Sequence, residues 1–121
     1  MRSIGTILMT VTLLFAGATI AEAHTALQRA EPRAKSTVHT PPAQVRLWFT
    51  EKLKPASSSV RVVNQAGEQV DKGDSQVDPA AAKQLSVSLS PLPPGTYKVI
   101  WRVLSADGDV AKGSFTFRVA P

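Results

Sequence analysis

His24 stands directly after Ala21-Glu22-Ala23, which puts small residues at the two positions that a signal peptidase reads before its cut. Cleavage there makes His24 the first residue of the exported chain. A first-position histidine offers a free α-amine and an imidazole nitrogen, and both can chelate one ion. Asp107 and Asp109 lie two apart in Ser105-Ala106-Asp107-Gly108-Asp109. Around a tight turn their carboxylates can converge on one cation. Amine, imidazole and two carboxylates make a neutral set of nitrogen and oxygen donors. Cu(II) binds such donors most tightly of the first-row divalent ions and prefers tetragonal geometry. The set exists only after cleavage, because a peptide-bonded nitrogen is a poor ligand.

Each feature also has an ordinary explanation. Any residue is tolerated after a signal cleavage, and terminal residues fray. Asp-Gly is a strong turn signal, so the two aspartates suit a hairpin by propensity alone. His39, in Thr37-Val38-His39-Thr40, reads as an exposed loop histidine, with a swing toward the metal set as the alternative. Glu51 closes a strand beside Lys52 and reads as a solvated strand end. With only two histidines there is no Ser-His-Asp spacing to defend, and no glycine-rich phosphate loop is present.

The segment before His24 reads as a leader. Arg2 gives a short positive start, and Ile4 to Ile20 is apolar or small without a charge. The run contains Gly5, Gly17 and several threonines and ends in cleavage-type residues, which favours a signal peptide over residues 1–23 rather than a retained anchor. A cut after Ala21 is the poorer match. The mature chain, His24 to Pro121, has 98 residues, 121 less the 23 of the leader, and fits one domain with a real core. Arg2 and Glu22 leave together, so the net charge stays at +5. The basic residues are scattered along the chain, which favours a solvated surface over a nucleic-acid partner. There is no cysteine, so disulfides, a blue-copper site and a thiol nucleophile are excluded. Both methionines, Met1 and Met9, fall in the leader.

The elements that must position these donors read as strands. Val45, Leu47 and Phe49 share one face of an extended segment. Val60 to Val63 is short and β-branched, and Leu85 to Leu89 alternates. Tyr97 to Leu104 is the strongest strand: Tyr97, Val99, Trp101 and Val103 share one face, and Ile100 and Leu104 suggest partial cover on the other. Phe115, Phe117 and Val119 form a last strand, with Ser114, Thr116 and Arg118 outward. Asn64 to Gly67 and Pro93-Pro94-Gly95 carry turn chemistry. Asp78-Pro79-Ala80-Ala81-Ala82-Lys83 predicts one or two turns of helix. Six or seven short strands with regular turns imply an antiparallel β-sandwich.

These residues resemble a known family, the periplasmic copper-binding proteins called CopC. The likeness spans the mature chain. It rests on Ala23-His24, Leu27, Glu31-Pro32 and Thr37-Val38, then on the run Pro41-Pro42-Ala43-Gln44-Val45-Arg46-Leu47-Trp48-Phe49. It continues through Leu92-Pro93-Pro94-Gly95-Thr96-Tyr97, Trp101-Arg102-Val103, Ser105-Ala106-Asp107-Gly108 and Gly113-Ser114-Phe115-Thr116-Phe117. The resemblance implies an all-β, Ig-like or cupredoxin-like Greek-key sandwich or barrel of about seven strands. It implies a Cu(II) site built on the terminal histidine's amine and imidazole, with an Asp-x-His pair after the long strand. His24 and Asp107 match that pattern, whereas Asp109 stands at the histidine's position. An oxygen there weakens the hold on Cu(II) and helps harder cations compete. Some members hold Cu(I) in a methionine-rich loop, which this mature chain lacks.

The expectation is therefore a periplasmic, monomeric Cu(II) carrier or buffer with one site, no enzymatic reaction and an inner-membrane copper-transporting partner of the CopD type. Two other readings stay open. One is a sandwich whose metal site has degenerated, leaving an interaction module. The other is a copper monooxygenase, since those enzymes share the terminal chelate. They need a second imidazole in it, and a flat aromatic face that the chain's two Trp, one Tyr and four Phe hardly supply.

Overall fold

A computed structural model describes residues 25–121; the leader, its cleavage point and His24 lie outside the described residues. The strands are β1 (Leu27–Glu31), β2 (Thr37–Val38), β3 (Gln44–Phe49), β4 (Ser59–Val63), β5 (Gln76–Asp78), β6 (Ala81–Ser88), β7 (Gly95–Leu104) and β8 (Val110–Val119). A short 3-10 turn at Pro55–Ser57 precedes β4. One sheet has the order β1-β3-β6-β5 and the other β2-β8-β7-β4. They face each other across an apolar layer, so the sandwich is as expected, with eight strands rather than seven.

Alternation dictates which side chains meet between the sheets. Val45, Leu47 and Phe49 of β3, Leu85 and Val87 of β6, Val99 and Val103 of β7, and Phe117 and Val119 of β8 are all buried. Val60 and Val62 add the β4 contribution. β7 lies between β8 and β4, the interior place its apolar content predicted. Its second face is only half-covered, however: Ile100 and Leu104 are partly exposed and alternate with exposed Lys98 and Arg102. No third layer packs on them.

Two further expectations are corrected. Asp78 to Lys83 forms no helix; β5 and β6 meet there as a hairpin, with Asp78 pairing Ala81. The Asp78 carboxylate accepts the Ala80 N–H at 2.8 Å, closing a turn instead of capping a helix. So short a run cannot meet the cost of helix nucleation alone, and the hairpin pairing, with the Ala82 carbonyl accepting the Leu53 N–H, satisfies its backbone better. The sandwich is also not wholly antiparallel, because β2 pairs β8 in parallel. The chain leaves the first sheet at Pro32, which has no N–H to pair, and joins the second still running in the same direction.

Local contacts pin both faces. The Tyr97 hydroxyl, buried at the start of β7, donates to the Pro93 carbonyl four residues upstream, and burial raises its pKa. On the outside of the first sheet, Trp48 carries the guanidinium groups of Arg29 and Arg46 at 4.4 and 5.2 Å from its ring centre. Both arginines donate to Glu31, Arg46 at 2.9 Å, and hold its carboxyl below the usual range.

Gly113 pairs with Trp101 across β7 and β8. A β-carbon at Gly113 would lie 2.5 Å from the Trp101 ring, which itself packs edge-on against Phe49 at 6.2 Å. Gly113→Ala is therefore expected to destabilise the fold by about 1–3 kcal/mol through overpacking. A urea denaturation midpoint equal to that of the parent would show that Trp101 yields freely.

Candidate metal centre

Strand direction gathers four pieces of chain at one end of the sandwich. β1 starts there, since Leu27 pairs with Phe49 at the close of β3. β3 ends there and continues as Thr50 to Lys54. β6 begins there, and β7 delivers Ser105 to Asp109 to the same place before β8 starts. Each piece is tied to its neighbour. Thr50 clamps the entry to β1 twice: its N–H donates to the Ala26 carbonyl at 3.0 Å, and its hydroxyl accepts the Ala26 N–H at 3.0 Å. Leu53 donates to the Ala82 carbonyl at 2.9 Å and bridges to Ser105. Lys54 donates to the Leu104 carbonyl at 2.8 Å, and Ala106 donates to the Lys52 carbonyl at 2.8 Å. The segment carrying Glu51 is thus laced to the turn carrying the aspartates.

The turn itself is closed by Ser105. Its backbone N–H donates to the Asp109 carbonyl at 2.8 Å, its hydroxyl accepts the Asp109 N–H at 3.1 Å, and its carbonyl accepts the Gly108 N–H at 2.9 Å. Ser105 is completely buried. Gly108 has φ +94°, a conformation that L side chains rarely adopt, which explains the Asp-Gly pair. Asp107 is exposed and Asp109 half-buried. The turn is therefore built by Ser105 and Gly108. Neither aspartate carboxylate is among its hydrogen bonds, so both stay free to meet a ligand.

Glu51 corrects the sequence reading. It is not a solvated strand end: one carboxylate oxygen, Oε1, is buried and has no hydrogen-bond partner among the described residues. The Thr25 hydroxyl, in the first described residue, is buried and unpartnered in the same way. A buried oxygen left unmatched is unfavourable unless something satisfies it. The signal was in the alternation, because Glu51 continues the inward phase of Val45, Leu47 and Phe49, with buried Leu53 following.

Where His24 stands relative to these groups lies outside the described residues. Among those residues, no three His, Asp or Glu side chains form a metal-binding group by themselves. His39 follows β2 at the opposite end, because Val38 pairs with Val119 while the aspartate turn adjoins Val110. The length of β8 separates those ends by about 30 Å at roughly 3.3 Å per residue. His39 is exposed and cannot swing into the aspartate turn. His39→Ala is accordingly expected to leave Cu(II) affinity unchanged in a chelator competition; a loss would require a site at the far end.

Comparison with known proteins gives a consistent result. The family model of the CopC domain matches residues 27–120. Copper resistance protein C of Pseudomonas syringae pv. tomato is 34% identical over 118 residues, covering 90% of this chain and 93% of that protein. The protein YobA of Escherichia coli K12 is 34% identical over 98 residues, covering 80% and 79%. Among solved structures, CopC from Methylosinus trichosporium OB3b superposes with a TM-score of 0.72 at 34% identity, covering 81% of this chain and 95% of that one.

Proposed function

The chain belongs to the CopC family, whose members are copper-binding resistance proteins and not enzymes, and from that premise we propose that it binds one Cu(II) in the periplasm as a carrier or buffer. In this reading the leader over residues 1–23 is removed, and the ligands are the amine and imidazole of His24 with Asp107 and Asp109. The segment carrying Glu51 is laced to the aspartate turn, so its carboxylate is at the same end as an acceptor for a ligand's N–H. The observation that supports this most is the pair of buried, unpartnered oxygens of Thr25 and Glu51 at the aspartate end. In this reading the residue bonded to Thr25 supplies donors that match those oxygens. Cu(II) would supply the charge that holds the carboxylates together; the protein's part is to hold the turn and the chain start in register.

Asp109 in place of the family's histidine argues for a weaker Cu(II) site than one with two imidazoles. The absence of mature methionine argues against a Cu(I) thioether site. A transporting partner of the CopD type is supported by the copper transport protein CutJ of Bacillus subtilis, in which the match to 80% of this chain spans 18% of the longer protein. The competing monooxygenase reading loses its second imidazole with His39 at the far end.

Proton linkage tests the chelate. Reference pKa values are about 8 for an α-amine and about 6.5 for an imidazole. Both groups shed their protons to bind, so affinity rises as pH rises through that range. Titration from acid to mildly alkaline buffer, followed by electron paramagnetic resonance, should show rising affinity and nitrogen hyperfine structure. Flat affinity across the range would remove the terminal chelate.

A further inference from the structure

We infer that the outer face of the β2-β8-β7-β4 sheet docks electrostatically on an anionic phospholipid bilayer. Strand register places Arg61 of β4, Lys98 and Arg102 of β7, and Lys112 and Arg118 of β8 on this one face, all exposed. Arg102 lies opposite Lys112, and Ile100 between Arg61 and Ser114. The remaining outward positions on these three strands are uncharged, so no carboxylate offsets the five cations. None of the five has an ion-pair partner among the described residues, where the only salt bridges are Arg29 and Arg46 to Glu31 on the other sheet. The two faces are thus built differently: one neutralises its arginines with Glu31 and Trp48, and the other leaves its cations bare. Like charges directly opposite each other disfavour the sheet, so the arrangement gains nothing for folding.

The form of the face selects the occupant. Arg61, Lys98, Arg102 and Lys112 line a shallow cleft with Ile100 and Ser114. The cleft is open rather than deep, and its one aromatic, half-buried Trp101, is packed inward against Phe49; among the described residues the one large exposed apolar side chain, Val110, lies at the edge. Protein interfaces centre on buried aromatic or apolar anchors and are depleted in lysine. Spread positive charge on a nearly flat sheet instead matches a plane of phosphate headgroups, where each Lys or Arg adds independently. The copper reading plays no part in this inference.

Co-sedimentation of the protein beginning at His24 with phosphatidylcholine vesicles, with and without phosphatidylglycerol, tests it. Binding is expected only with phosphatidylglycerol and should fade as salt is raised. The double variant Lys98→Glu/Arg102→Glu should lower the partition about thirtyfold, from roughly fivefold for each cation removed. Lys72→Glu/Lys83→Glu changes net charge equally outside the three strands of this face and should retain most binding. Thermal midpoints establish that both variants fold. Equal binding to neutral vesicles, insensitivity to salt, or equal loss in both variants would overturn the inference. So would capture by soluble polyglutamate without vesicle binding, which assigns the face to an acidic protein.

Discussion

One extra residue ahead of His24, or an acetyl group on its amine, lowers Cu(II) affinity by more than about a hundredfold. Losing even an outer partner of a metal ligand costs roughly 10–100-fold, and here an inner donor is abolished together with its chelate ring. The modification leaves the sandwich intact, because it lies beyond Ala26, which Thr50 already anchors. Chelator competition on the two forms, with circular dichroism to establish equal folding, measures the effect. Equal affinities would mean that the amine is no ligand, and the metal would have to be sought elsewhere. The result also decides whether export processing is an activating step, since the uncut precursor should bind copper no better than the blocked form.

Substitutions in the aspartate turn should move affinity in opposite directions. Asp107→Ala removes a donor that nothing nearby replaces and should cost more than about a hundredfold, by the same comparison with outer-partner losses. Asp109→His exchanges an oxygen for an imidazole nitrogen and should raise Cu(II) affinity by about tenfold or more, while weakening competition from harder cations. Folding should be little affected by either change, because the turn is held by Ser105 and Gly108 rather than by the carboxylates. Competition titrations with Cu(II) and Mg(II) measure both. No gain from Asp109→His would show that position 109 faces away from the metal.

Much of this architecture was readable without coordinates. Alternation in Val45 to Phe49, Tyr97 to Val103 and Phe115 to Val119 named the strands and their inward faces, because a side-chain period of two is a local property. Turn residues named the connections for the same reason. The misreading at Asp78 to Lys83 shows where local preference stops: alanine favours helix weakly, and pairing in the β5–β6 hairpin outweighed it. Glu51 was misread because its lysine neighbours in sequence suggested solvent. Its buried oxygen lies in a segment that long-range pairing of Leu53 with Ser105 ties to the end of the sandwich.

The sequence by itself determined the donor types available, the absence of thiol chemistry and the strand faces, which follow from composition and short-range periodicity, and its motifs carried the resemblance to the family. Only the tertiary structure decided which donors share an end. β-Strands carry residues distant in sequence to common or opposite ends according to their direction, and direction is set by long-range pairing. That pairing brings Glu51 beside the Asp107 turn and sends His39 the length of β8 away. It also lines up five cations, scattered along the chain, on one unpaired face.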